Sequence, residues 1–355
     1  MQWFNPQSEP FKIYGFPFYA QEKVYRRMPL SATNLPEAVY GLADETAGGQ
    51  IRFHAKFKQL TLQVSRMAKP GFYDHVKSPH MADTMKHSFD LYLSKDGKNY
   101  IFCDVSKNMG KDPKFYTRKL VEFEEEQEFD VLLNFPCYGG VDKVLIGLDD
   151  EAVVSEPIHK FKDDKKVVIY GTSVQQGGCA ARPGMARSNI LSRWLNREFY
   201  NLGFSSSGKA EDEVAEVIAT IPNVAALIMS IEGNCPDNEW LDEHLRSFIK
   251  IYRKANPTVP VVIMPFTRTG LDEIIPANGE RKAQGLEIQK NIVAEFKAQG
   301  DNNIYLFEQE GEFEREFAGV SVWHEVTVDG LHYNELGFYW KSKAMYKFLT
   351  ETLGL

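Results

Sequence analysis

VVIYGTSVQQGG, residues 167 to 178, places a serine just behind a run of four apolar residues, after Gly171 and Thr172, and ahead of two glycines. A continuous apolar run of this length is what a strand buried on both faces of a parallel sheet requires. The small polar residues behind it mark the turn into a helix. Working outward, runs of the same kind recur at FYNLGF (199–204), VAALIMSI (224–231), VPVVIMPF (259–266) and NIYLF (303–307). Between them apolar residues return at helical spacing, as Val214, Val217, Ile218 and Ile221 in one segment and Leu241, Leu245, Phe248, Ile249 and Tyr252 in another. Five β/α units with right-handed crossovers predict an α/β fold, a flavodoxin-like three-layer α/β/α domain closed by a helix from about Leu336.

Upstream the period changes. From about Ile51 to Leu148 apolar residues alternate with polar ones in IRFHAKF, QLTLQVS, SFDLYLSKDG, NYIFCDV and VDKVLIGL, with turn pairs such as Asp96-Gly97 and Gly139-Gly140 between them. This predicts an all-β, jelly-roll-like sandwich. The charged stretch HKFKDDKK (His159 to Lys166) separates the halves, so the expected division is an N-terminal β-sandwich domain at 1–160 and an α/β/α domain at 161–355.

Composition narrows the function. The 355 residues are 43% hydrophobic and 25% charged, ordinary for a globular protein. A formal charge of -8 with no basic block excludes the electrostatic footprint of a nucleic-acid binder. No run approaches the roughly 20 apolar residues of a membrane span, and MQWFNPQSEP has neither a basic start nor an apolar signal core. The expectation is a cytoplasmic chain without membrane partners, or a secreted or periplasmic one if a leader has been removed; a homo-oligomer is left open. The four cysteines, Cys103, Cys137, Cys179 and Cys235, lack CxxC spacing and read as structural thiols, with Cys179 and Cys235 notable for lying beside the polar positions that follow.

In a doubly wound sheet, ligands bind outside the carboxyl ends of the strands. Ser173 follows the first strand, Gly203 ends the second, Asn234 follows the third, and Asp329 and His332 precede the last helix. Each has a plain structural reading: Ser173 as a helix N-cap, Gly203 as a residue with positive φ, Asn234 and Asp329-Gly330 as turn chemistry. Together they have a chemical one. A serine hydroxyl becomes a nucleophile when an imidazole takes its proton and a carboxylate orients that imidazole. The Ser173 amide, the Gly203 amide and the Asn234 carboxamide are candidate donors to an oxyanion.

The second half, about 165 to 355, resembles the SGNH (GDSL-like) hydrolase family, whose signature Ser, Gly, Asn and DxxH His fall in order on Ser173, Gly203, Asn234 and His332, with Asp329 as the third triad member. The first block reads GTS in place of GDS, and Cys235 follows Asn234 where many members have Asp. The tract GTSVQQGGCAARPG resembles the branch with an N-terminal β-sandwich carrying a GxDLY-like motif, matched in part by Ser88-Phe89-Asp90-Leu91-Tyr92. The resemblance implies a serine esterase that hydrolyses short acyl esters, acetyl foremost, on a small-molecule or oligosaccharide substrate. The alternatives are an O-acyltransferase with the same triad and a glycan-binding protein with a vestigial rim. An α/β hydrolase of the G-x-S-x-G type is disfavoured because Gln175 stands where the second glycine belongs. His324 competes with His332 as base. A metal reading of His324, Glu325, Asp329 and His332 lacks a compact helical ligand pair, so no metal and no cofactor is expected. Trp323 and Trp340 read as packing residues or as walls of a sugar pocket.

Overall fold

The structure, a computed structural model, describes residues 1–67, 78–107, 115–309 and 325–355. Its first eight strands are β1 (Gln2–Phe4), β2 (Lys12–Tyr14), β3 (Gln50–Arg66), β4 (Asp90–Ser94), β5 (Ile101–Val105), β6 (Phe115–Asn134), β7 (Val141–Leu148) and β8 (Val153–Ser155). They form one antiparallel sheet, β1-β7-β3-β6-β4-β5, with β2 and β8 also paired to β3. The expected sandwich is therefore a continuously bonded sheet whose long strands β3 and β6 run through both halves. The device is a register shift between Phe57 and Gln59. Before it the odd residues Ile51, Phe53, Ala55 and Phe57 are buried, and after it the even residues Leu60, Leu62 and Val64, all in the same core. Across the shift β3 advances two residues and β6 five, from Gln127 to Glu122, and the alternation of β3 reverses, which keeps the apolar side of both halves on that core.

The second sheet is parallel. Its strands are β9 (Lys166–Gly171), β10 (Glu198–Gly203), β11 (Val224–Ser230), β12 (Val261–Ile263) and β13 (Ile304–Leu306), in the order β10-β9-β11-β12-β13. This is the flavodoxin-like order, with its reversal beside β9. Helices 212–219, 238–255 and 335–351 fall where the periodicity places them, whereas β12 and β13 are shorter than their apolar runs. The 23-residue helix Pro276–Ala298 has no counterpart in the periodicity, because its buried residues include Gly285 and Gln289 beside Ile292, Val293 and Phe296.

Two features join the halves. Met28, Leu35, Val39 and Leu42, from the first 160 residues, pack in the same core as Tyr170, Leu202 and Phe204 of the α/β layers. Beside them the buried Arg27 donates to the Leu42, Glu45 and Gly203 carbonyls, which ties this segment to the end of β10. Burial pulls the Arg27 guanidinium down to about 10, offset in part by Glu45.

The second feature is the partial motif SFDLY. Asp90 and Tyr92 lie two apart on β4 and so share a face. The fully buried Asp90 carboxylate accepts from Asn134 Nδ2 at 2.7 Å, the Gly184 amide at 2.7 Å and Arg182 Nη1 at 3.1 Å. Arg182 also reaches the Tyr92 hydroxyl and lies 3.7 Å from the Phe102 ring centroid. The motif is thus a clasp onto the loop that follows the serine turn. Asp90→Asn keeps the shape and removes the charge that offsets Arg182, so it should cost about 3 kcal/mol, the lower end for breaking a buried pair. Thermal unfolding checks this, and an unshifted midpoint would show that the clasp is not stabilising.

Candidate active site

The site is built where β9 ends. Thr172, extended, is the N-cap of the short helix Ser173–Gln176, its Oγ1 accepting from the Val174 amide. That leaves the Ser173 side chain uncommitted to capping, and its Oγ lies 2.9 Å from His332 Nε2. The other ring nitrogen, His332 Nδ1, lies 2.7 Å from Asp329 Oδ2. The remaining carboxylate oxygen accepts from the amides of His332 (2.8 Å) and Leu331 (3.0 Å), so the turn that carries the imidazole also aims the carboxylate. Partial burial pushes the Asp329 carboxyl up, but the bonds from the His332 amide and ring and from the Leu331 amide outweigh it and hold the group below its ordinary range. An ionised carboxylate only accepts, so Nδ1 carries the ring proton and Nε2 faces the serine as the acceptor.

The serine turn is held from several sides. Asn201, fully buried on β10, donates to the Gln175 carbonyl at 2.8 Å and to Ser188 Oγ at 3.0 Å. Gln176 donates to Glu45 and to the Cys137 carbonyl and accepts from the Ser205 amide at 2.9 Å. Tyr138, from the first half, places its hydroxyl 3.4 Å from the Ser173 carbonyl oxygen. A Cβ at Gly178 would stand 2.8 Å from that hydroxyl and 3.3 Å from His332 Cδ2, so only glycine lets this loop pass under the imidazole.

The three expected oxyanion donors fare differently. The Ser173 amide is at the mouth of the serine turn and makes no backbone bond among the described residues. Asn234 gives one Nδ2 hydrogen to the Phe204 carbonyl at 3.2 Å and retains a second. Gly203 corrects the expectation. Its amide donates inward to Asn201 Oδ1 at 3.0 Å, and φ there is not positive. The glycine is required instead by close approach, since a Cβ would stand 2.1 Å from the Gln176 amide nitrogen. Three residues on, exposed Ser206 holds a left-handed φ of 56° in the turn closed by the Ser207 amide on the Phe204 carbonyl, the oxygen that Asn234 also bonds. The Ser206 amide has no partner among the described residues. Nothing local in SSSG announces this conformation, because serine rarely adopts it.

His324 and Trp323, the alternative base and one aromatic wall, lie outside the described residues. Trp340 sits on helix 335–351, edge-on to Tyr339 and under Lys343. Cys179 and Cys235 are buried, and burial pushes each thiol up to about 12, so neither is a reactive thiolate. A cavity of about 340 Å³ lined by Phe266, Thr267, Arg268, Lys282, Leu286 and Gln309 adjoins the triad loop, its wall residue Thr267 bonded to the Tyr333 hydroxyl at 2.7 Å. Among the described residues no helix is long and apolar enough to cross a membrane.

Residues 164–350 match the model of the GDSL-like lipase/acylhydrolase family, and residues 1–154 match that of GxDLY, the N-terminus of SGNH-hydrolase-type esterases. No curated protein matches the chain. Among solved structures, a Bacteroides ovatus protein described as a GDSL-like lipase is 25% identical with a TM-score of 0.87, over 99% of this chain and 98% of its own. The salicylyl-acyltransferase SsfX3 of a tetracycline biosynthetic pathway is 16% identical, TM-score 0.72, over 97% and 95%. A family two carbohydrate esterase from Cellvibrio japonicus is 10% identical, TM-score 0.61, over 99% and 98%.

Proposed function

Because the chain belongs to the GDSL-like lipase/acylhydrolase family and is by that membership a carboxylic ester hydrolase, we propose that it removes short acyl groups, acetyl foremost, from a carbohydrate through an acyl-enzyme on Ser173. The observation that carries this reading is the relay of two hydrogen bonds, Ser173 Oγ to His332 Nε2 at 2.9 Å and His332 Nδ1 to Asp329 Oδ2 at 2.7 Å. Ser173 Oγ attacks the ester carbonyl while its proton passes to His332. The tetrahedral intermediate then expels the alcohol, which takes that proton from the imidazole. Water repeats the sequence, giving its proton to His332 and its oxygen to the acyl carbon, and Ser173 is released with its hydroxyl restored. Asp329 stays ionised and steadies the imidazolium formed in each half-reaction.

For the oxyanion we assign the Ser173 amide, the Asn234 carboxamide and, in place of the Gly203 amide, that of Ser206. Asn234→Ala should lower kcat by roughly two to three orders of magnitude with little change in KM, the usual cost of one such donor. Near-wild-type turnover on p-nitrophenyl acetate would remove Asn234 from the site.

The carbohydrate assignment leans on the family branch, and carbohydrate esterases are among the proteins that share the fold of both domains. An acyltransferase shares it too. Acetylated xylo-oligosaccharides assayed beside long-chain lipid esters, with and without a free sugar acceptor, separate the readings: faster cleavage of lipid esters overturns the sugar substrate, and acyl transfer to the acceptor in preference to water overturns hydrolysis.

A further inference from the structure

Four side chains with metal-ligand chemistry converge beside the triad, and two of them have no part in the reaction above. His80, Cys179, Asp329 and His332 each bring one ligand atom to a common place, all within 4.8 Å of one another. His80 comes from the N-terminal half, its Nε2 4.0 Å from Asp329 Oδ2 and its ring against that of His332 at a centroid distance of 5.4 Å. Cys179 follows the serine helix, and its thiol lies 3.5 Å from the His80 carbonyl oxygen, so the two loops meet here. Cys179 also holds a left-handed φ of 70°, where a residue with a Cβ is strained and a glycine is not.

We propose that these four side chains form a site for a borderline-soft divalent metal ion, Zn²⁺ foremost, and that its occupancy switches the hydrolase off. Two imidazoles, a thiolate and a carboxylate are the donor set that zinc takes in four-coordinate sites, whereas Mg²⁺ and Ca²⁺ call for oxygen alone. Bonds of about 2.0 to 2.3 Å put tetrahedral donors about 3.3 to 3.8 Å apart, so the widest pair here must close by about 1 Å. The His80 side chain is 33% exposed and makes the movement by turning its own torsions toward Asp329, which the His332 and Leu331 amides hold in place. On binding, the Cys179 proton leaves to solvent and both imidazoles bind neutral, so thiolate and carboxylate balance the ion's two charges and no net charge is left half-buried. The consequence for catalysis is direct. The ion holds the carboxylate and the imidazole on which Ser173 depends, and a serine without its base does not attack. Metal binding stands on the four side chains alone, while the inhibitory role rests on the hydrolase reading.

The test uses the full chain in two arms. Co²⁺ titrated into Ser173→Ala protein, which keeps all four ligands, should raise a saturable cobalt–thiolate charge-transfer band that Zn²⁺ displaces and that disappears when Cys179→Ser is added. In the wild type, Zn²⁺ should inhibit p-nitrophenyl acetate hydrolysis reversibly, with EDTA restoring the rate. His80→Ala and Cys179→Ser, which leave the triad in place, should each need at least about tenfold more zinc for the same inhibition. Should the buried Cys179 variant fold poorly, His80→Ala, at a half-buried position, still decides. No cobalt–thiolate band, or zinc inhibition unchanged by His80→Ala, overturns the site. A band in a wild-type chain that has no esterase activity upholds the site and overturns the inhibitory role together with the hydrolase reading, so the two failures are distinguishable.

Discussion

Ser173→Ala should lower kcat on p-nitrophenyl acetate by about six orders of magnitude, the size of loss when the nucleophile of a serine triad is removed. Labelling by an organophosphonate should vanish with it, because only a serine activated by a base reacts. The unfolding midpoint should stay where it is. This last expectation separates the chemical role of the residue from the structural one that its position invites. A serine at a strand-to-helix junction is commonly an N-cap, and removing a cap costs about 1 kcal/mol of stability while leaving any chemistry elsewhere untouched. Here Thr172 supplies the cap and Ser173 Oγ points to His332. A variant that loses stability and keeps turnover would reverse the assignment.

Asp329→Asn should cost about 10⁴ in kcat while the loop keeps its shape. The substituted side chain still offers an oxygen to the His332 and Leu331 amides, the bonds that Asp329 Oδ1 accepts at 2.8 and 3.0 Å. Its other end is an NH₂ where an acceptor is needed. His332 then turns its unprotonated nitrogen toward residue 329 and its N–H toward the serine, the wrong tautomer for a base. The pH profile follows from the same carboxylate. Since Asp329 is held below its ordinary range, it stays ionised throughout the range in which an imidazole titrates. The acid limb of the wild-type rate is then not the titration of Asp329 but the loss of a neutral imidazole able to take the serine proton, so activity should fall toward acid pH while Asp329 is still ionised. A limb centred near pH 4, where carboxylates titrate, would contradict the triad.

Much of this architecture is legible in a single chain because burial leaves a pattern. A parallel strand covered on both faces has no polar side to show, which is why VVIY and VAALIMS read directly as β9 and β11. The helix at 238–255 is legible because one face alone is buried, by Leu241, Leu245, Phe248, Ile249 and Tyr252. Where burial is partial the signal fades. Helix 276–298 faces the core with Gly285 and Gln289 as well as apolar residues, and no periodic stripe survives. The register shift between β3 and β6 is visible in β3 only as a switch from odd to even apolar positions, and its meaning depends on the partner strand.

The candidate site divides in the same way. Residue types, taken with their order at the strand ends and the family resemblance that order carries, suffice to nominate Ser173, Asn234, Asp329 and His332, since the reaction requires a hydroxyl, an imidazole, a carboxylate and a donor. The partner of a backbone N–H is another matter. Gly203 is where a glycine must be, but its amide is taken by Asn201, and the amide left over belongs to Ser206, whose left-handed turn no serine run announces. His80 and Cys179 likewise carry no shared motif.

Composition and order along this chain thus establish which chemical groups are present and which kind of layer each segment joins, because those depend on the residue and its near neighbours. Which hydrogen bonds are already made, and which distant loops meet, follows only from folding, because a donor's direction and a contact between residues far apart are properties of the packed backbone. That the imidazole of His332 lies between Ser173 and Asp329, with His80 and Cys179 beside it, belongs to this second kind.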